Sequence, residues 1–233
     1  MDMKTVVIIP TYNEAENILL LINKILKLKI KNLDILVVDD NSPDGTSIIV
    51  KDKGINIIIN KKKLGLGNAY LTGMAHAINN MNADFLIEMD ADFSHDPKDI
   101  KKLIKKINEG YDIIIGSRYI KGGSIPKNWG IHRKFISKFG NKFISFFLGK
   151  NLNDWSNGFR IVKKEVFLDI KDKLKDQKFQ GYTFQVAFLN EAIKKGYEIG
   201  EIPIKFSNRK YGKSKFLGME YIFNTLKYLI FRK

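Results

Sequence analysis

The chain has 233 residues, 44% of them hydrophobic, with 40 Lys and Arg against 25 Asp and Glu and a net charge of +15. It contains no cysteine, so disulfides and thiolate metal sites are excluded. A surface this basic attracts polyanions: nucleic acid, anionic lipid or phosphorylated small molecules.

The amino-terminal stretch "MDMKTVVIIPTYNE" is too short in apolar run for a signal peptide. No run approaches the roughly 20 apolar residues that span a bilayer. These features predict a cytoplasmic protein, peripheral to the membrane if it touches one.

In chain order, "TVVIIP" (5–10), "DILVVDD" (34–40), "INIIIN" (55–60), "DFLIEMD" (84–90) and "YDIIIGS" (111–117) are short apolar runs rich in Val and Ile. Unbroken runs of this kind suit strands buried on both faces of a parallel sheet. Helical periodicity separates most of them, over 14–28, 67–81 and 97–110, the last opened by Pro97 and closed by Gly110. The alternation predicts a doubly wound α/β fold with a mostly parallel sheet, whose ligands bind beyond the carboxyl ends of the strands.

The second half differs. Residues 131–150 read as an amphipathic helix, 181–196 as a helix, 197–206 as a strand, 207–215 as a basic loop and 216–233 as an aromatic-rich helix. The simplest organisation is one domain over 1–215 followed by a carboxyl-terminal amphipathic helix over 216–233.

Acids gather where the strands end: Asp39 and Asp40, then Asp90 and Asp92, with Glu14 just past the first strand. A single Asp there is more often a turn former or helix cap, and Asp40 and Asp96 suit that role. Three acidic clusters on one rim repel one another unless a cation joins them. Asp-x-Asp after a buried strand suits a hard divalent ion, Mg²⁺ or Mn²⁺, bridged to substrate phosphates.

"VVIIPTYNEAENI", "ILVVDDNSPDGT", "KKLGLGNAYLTGM", "MDADFSHDP", "IIIGSRYIKGG", "NGFRIVKKEVF", "GYTFQV" and "IPIKFSNRKYGKSK" occur in this order. The ordered set resembles family 2 glycosyltransferases of the GT-A fold. Within them it resembles the dolichol-phosphate or polyprenol-phosphate mannosyltransferases, over residues 4–217.

The resemblance implies inverting transfer of a hexose, foremost mannose from GDP-mannose, to a polyprenyl phosphate. It implies that Pro10, Tyr12, Glu14 and Asp39 grip the nucleotide, with Asp40 beside them, and that Gly65 and Gly67 let backbone approach the donor. Asp90 and Asp92 match the metal pair, Arg209 and Lys215 the loop closing on the diphosphate. Arg118, Arg133 and Ser137 match the acceptor-phosphate segment. Asp154 and Arg160 are site candidates on the same ground. Ala187 departs from the pattern, since the relatives commonly carry Glu there, and that role is then empty or passes to Glu191, one turn on.

The two amphipathic segments have two readings, packing onto the sheet or contact with a membrane surface or a membrane-embedded partner, and the lipid acceptor favours contact. A donor such as UDP-glucose or a different acceptor is the nearest rival. A nucleic-acid-binding protein is the more distant one: the charge suits it, but no binding motif accompanies the charge, so no nucleic-acid partner is expected. His95 is a further candidate beside the acidic pair, and Trp129 and Trp155 suit either core or acceptor.

Overall fold

The computed structural model describes residues 3–175, 182–209 and 218–231. Its sheet has seven strands, β1 (Thr5–Thr11), β2 (Leu33–Asp39), β3 (Asn56–Ile59), β4 (Phe85–Glu88), β5 (Ile113–Ser117), β6 (Arg160–Lys163) and β7 (Ile199–Pro203), in the order β3-β2-β1-β4-β6-β5-β7. The helices are α1 (Ala15–Leu26), α2 (Thr46–Asp52), α3 (Leu66–Met81), α4 (Ile100–Ile107), α5 (Ile131–Leu148), α6 (Lys164–Leu174), α7 (Tyr182–Lys194) and α8 (Gly218–Phe231).

Alternation along each strand feeds two cores. On β1, Val6 and Ile8 join one core with Tyr70 and Met74 of α3 and Phe184 and Phe188 of α7. Val7 and Ile9 join the other with Ile18, Leu21 and Ile22 of α1 and Leu103 of α4. Successive side chains on a strand point to opposite faces, so an unbroken apolar run such as "VVII" needs helices on both sides. The helices answer with one apolar stripe each: α4 buries Ile100, Leu103 and Ile107. Its start is set by Asp96, whose side chain accepts from Lys98 N at 3.0 Å ahead of the three-residue turn Pro97–Asp99.

The predicted parallel runs all became strands, and β1, β2, β3 and β4 pair in parallel. A strand within "NGFRIVKKEVF" was not anticipated. Residues 160–163 insert antiparallel between β4 and β5, with Glu88 opposite Arg160. The reason is tertiary: Arg160 Nε and Nη2 donate to Glu88 Oε1 at 2.8 and 2.7 Å, and both residues are fully buried. Removing one partner of such a pair leaves a buried charge and costs about 3–5 kcal/mol. Arg160 is therefore a core ion-pair residue that sets strand register. Two helices, α2 and α6, were also unanticipated.

The two amphipathic segments differ in their burial. On α5 only Asn141 and Ile144 are buried. Ile131 is 85% exposed and Phe146 86%, and Phe135, Phe139, Phe143 and Phe147 are also exposed. α8 docks on α7: Asn190 Nδ2 donates to Tyr228 OH at 2.7 Å, and Leu229 enters the core. No helix among the described residues is long and apolar enough to cross a membrane.

Candidate active site

Chain direction places the site. β1, β2, β4 and β5 all end at one rim, and the order of the sheet reverses between β1 and β4. That is the switch point where α/β sheets open a crevice. Because β6 runs the other way, the residues before it, Asp154 to Phe159, also arrive at this rim.

The turn after β4 carries Asp90 and Asp92, and its backbone passes through the left-handed region at Phe93, φ 64°. Non-glycine residues seldom adopt this, and such turns cluster at functional sites. Asp92 Oδ1 accepts Ser94 N at 2.9 Å, and Asp92 Oδ2 lies 2.9 Å from Arg209 Nε. Tyr70 OH donates to Asp90 Oδ1 at 3.4 Å.

Burial pushes the Asp90 carboxyl above the usual range. His95 opposes that rise, Asp92 adds to it, and Arg209 opposes it again. Burial also raises Glu14, relieved by its bond from Asn17 and increased by Asp92. Glu14, Asp90 and Asp92 thus sense one another across the crevice.

These residues fit a divalent ion. Two carboxylates in one turn supply hard oxygen donors, and the buried Ser94 Oγ in the same turn has no hydrogen-bond partner. His95 does not join them. Asn157 Nδ2 donates to Gly116 O, so Asn157 Oδ1 accepts from His95 Nε2 at 2.9 Å, and His95 Nδ1 faces Asp90 N at 3.4 Å. Both ring nitrogens are committed, and the ring stacks on Phe159. His95 braces the turn that carries the acids.

On the β1 and β2 side, Pro10 is the last residue but one of β1 and Lys63 Nζ lies 3.8 Å over the ring of Tyr12. The acids here are held by protein. Asp39 accepts from Thr11 Oγ1, Ser42 N and Ser42 Oγ. Asp40 accepts from Asn60 Nδ2, Leu64 N and Gly65 N, which ties the 61–65 loop to the end of β2. Gly65 has φ 89°, a conformation that favours glycine, and Gly67 is buried in the first turn of α3. Asp40 therefore fills the turn-forming role.

On the other side, Arg118 follows β5. Its Nε and Nη2 each donate to Asp154 at 2.7 Å, and Nη2 also to Ser156 Oγ at 2.8 Å. Arg133 of α5 stacks 3.8 Å over Trp129, whose Nε1 donates to Asn208. Ser137 Oγ is 2.5 Å from Tyr119 OH. One cavity is lined by Asp90, Arg118, Arg133, Ser137, Asn157 and Gly158, among others. It joins the acidic turn to the cationic segment, 43 residues apart between Asp90 and Arg133.

The structure thus gathers Glu14, Asp90, Asp92 and Arg209 at one end and Arg118, Arg133 and Ser137 at the other. Lys215 lies outside the described residues. Trp155 is core, its Nε1 donating to Ser145 Oγ. Ala187 is fully buried, and Glu191 is paired with Lys194 at 2.7 Å. Tyr119 was missed, and nothing near it in the chain signals its bond to Ser137.

The family model described as "Glycosyl transferase family 2" matches residues 6–171. The polyprenol monophosphomannose synthase of Mycolicibacterium smegmatis is 38% identical over 221 residues, covering 92% of this chain and 82% of that protein. The undecaprenyl-phosphate mannosyltransferase of Micrococcus luteus is 36% identical, covering 93% and 88%. Among solved structures, glucosyl-3-phosphoglycerate synthase from Mycobacterium tuberculosis, in complex with Mn²⁺, UDP-glucose and phosphoglyceric acid, matches with TM-score 0.72 at 16% identity. That match covers 98% of this chain and 80% of the other. Fold, ordered motifs and relatives agree, and this chain belongs to glycosyl transferase family 2, a GT-A glycosyltransferase.

Proposed function

We propose that the enzyme transfers mannose from GDP-mannose to a polyprenyl phosphate, with inversion at the sugar carbon. The observation carrying this reading is a cavity lined at once by Asp90, Arg133 and Ser137. Relatives named polyprenol monophosphomannose synthase and undecaprenyl-phosphate mannosyltransferase support the transferred sugar and the acceptor.

In this reading Pro10, Tyr12, Glu14 and Asp39 hold the nucleotide, with Gly65 and Gly67 beside it. Asp90 and Asp92 would hold Mg²⁺ or Mn²⁺, which would neutralise charge on the departing diphosphate. Arg209 and Lys215 add positive charge there. The acceptor is a phosphate monoester, carrying about −1.5 to −2 charge near neutrality. It is already an anion, so its oxygen needs positioning and screening more than a base. Arg133 supplies both, since a guanidinium group binds phosphate oxygens through paired hydrogen bonds, and Arg118, whose Nε and Nη2 are held by Asp154 and Ser156, adds positive charge. Asp154 fixes the Arg118 plane for that task. Ser137 donates a further bond from α5. The phosphate oxygen then attacks from the cationic end while the diphosphate leaves toward the acidic turn, so the sugar carbon inverts.

The exposed phenylalanines of α5 lie on the helix that carries Arg133 and Ser137. They would rest on the cytoplasmic face of a membrane, where the lipid tail of the acceptor stays.

The test is a transfer assay with labelled GDP-mannose and a polyprenyl phosphate, with and without chelator. Chelator-sensitive labelling of the lipid is expected. Labelling from UDP-glucose and not from GDP-mannose would overturn the donor, and absence of any lipid product would overturn the acceptor.

A further inference from the structure

Ser156 lies in the loop ahead of β6 and lines the cavity together with Arg118 and Arg133. It is 8% exposed. Arg118 Nη2 donates to its Oγ at 2.8 Å, and Asn141 Nδ2 approaches the same oxygen at 3.5 Å. The Asn141 amide has a fixed orientation, because its Oδ1 accepts Trp155 N at 2.7 Å and its Nδ2 donates to Ser137 O at 2.7 Å.

Both groups that face Ser156 Oγ are therefore donors. A guanidinium carries no acceptor, and neither does an amide nitrogen. A seryl oxygen has two lone pairs and one proton. Here the lone pairs face N–H groups, and the proton has no acceptor among the described residues. The hydroxyl can give a hydrogen bond and is already supplied with those it takes. The open side of the residue is the cavity that it lines. Asn141 also joins this hydroxyl to α5, since one amide bonds the Ser137 carbonyl and Ser156 Oγ. The mechanism above uses Ser156 only to hold Arg118.

We propose that Ser156 is a further contact for the acceptor phosphate, its hydroxyl an obligate donor to a phosphate oxygen, and that it helps the enzyme select a phosphate ester over an alcohol. This rests on the function proposed above. Local charge favours an anion as the partner. Arg118 and Arg133 line the cavity beside Ser156, and the carboxylate in the lining, Asp90, belongs to the acidic turn. A hydrogen bond to an ionised oxygen is about twice as strong as one to a neutral oxygen. An alcohol offers a weaker acceptor, and its own proton finds no lone pair waiting on Ser156.

The test is calorimetric binding to the whole chain, saturated with GDP and Mg²⁺ so that the donor end is filled. The probes are inorganic phosphate, a water-soluble short-chain isoprenyl phosphate and the matching isoprenol. Ser156→Ala removes the proton, and Ser156→Thr keeps it. Ser156→Ala is expected to bind both phosphates about tenfold more weakly, the loss of one hydrogen bond to a charged group, and to bind the isoprenol as the parent does. Ser156→Thr should restore most of the affinity, and GDP binding should be unchanged in both variants. The Arg118 Nε–H signal in a nitrogen-15 spectrum should keep its slow exchange in Ser156→Ala, since Asp154 still holds that group at 2.7 Å.

Equal phosphate affinity in Ser156→Ala and the parent would overturn the inference. Loss of the Arg118 signal together with the affinity would make Ser156 a prop for Arg118 and overturn it as well, as would an alanine variant that fails to fold. A parent that binds inorganic phosphate through Ser156 and does not bind the isoprenyl phosphate would contradict the lipid acceptor of the proposed function while leaving Ser156 a phosphate contact. A parent that binds neither phosphate would overturn both.

Discussion

Arg209 Nε lies 2.9 Å from Asp92 Oδ2, so a guanidinium occupies one oxygen of the carboxylate pair. The contact is set from the turn itself: Ser207 N donates to Ser94 O at 3.0 Å, anchoring the strand exit two residues before Arg209. Acids crowded at a sheet edge require a cation, and here a side chain supplies it.

Replacement of Arg209 by Met should therefore change the metal response. In chelator the variant is expected to melt below the parent. On titration with Mn²⁺ it should gain more in melting temperature than the parent does, since no guanidinium has to leave Asp92 and a ligand stabilises in proportion to its affinity. Transfer activity should fall nonetheless, because the diphosphate loses a cationic contact. Equal Mn²⁺ shifts in both proteins would mean that Arg209 and the ion do not share Asp92.

The Arg118–Asp154 pair, 6% and 0% exposed at its side chains, predicts a coupled stability loss. Asp154→Ala should cost about 3–5 kcal/mol, much of it the uncompensated buried guanidinium. Arg118→Met combined with Asp154→Ala should cost less than the sum of the single changes. Urea unfolding of the three variants checks this. Asp154→Asn should also raise KM for the lipid phosphate more than for the nucleotide sugar, because it loosens Arg118 and leaves the acidic turn untouched.

Asp90 predicts a pH effect. Its folded carboxyl titrates above the unfolded value of about 3.9, chiefly through burial. The folded state then holds its proton more tightly, so this group weakens stability as pH rises through the window between the two values. Asp90→Asn should consequently melt higher than the parent at neutral pH in chelator, with the gap closing as pH falls toward 4. The same variant should lose transfer activity. A parent and variant with parallel melting curves across that range would contradict the assigned shift.

The outward face of α5 predicts lipid binding. The protein should sediment with anionic vesicles at low salt and less at high salt, since Lys134, Lys138 and Lys142 lie among the phenylalanines and such attraction is screened. Phe146→Glu with Phe139→Glu should abolish sedimentation and leave GDP binding unchanged. Sedimentation by the double variant equal to the parent would place membrane contact elsewhere.

Most of the sheet and the acidic rim are legible in the chain itself. Each buried parallel strand announces itself as a local apolar run, and each helix between them as a periodicity of a few residues. These are short-range signals, bound to the chain by the geometry of the backbone. The Asp-x-Asp turn was equally visible, because strand direction alone decides which ends face one crevice.

Long-range partners were not legible in that way. Nothing near "RIVK" marks it as an antiparallel insertion, since its place depends on Glu88, 72 residues earlier. Asp154 reads as an ordinary loop acid until Arg118 meets it across 36 residues. Asp39 and Asp90 look alike in composition, yet one is fully buried and accepts bonds from Thr11 and Ser42, while the other is half-buried beside Tyr70 and lines the cavity. Gln185 is the extreme case. A glutamine in an apolar helix says nothing until the fold removes it from water and sets it beside Glu88. Local chain chemistry chose the elements; burial and non-local pairing chose which polar groups remain for a substrate.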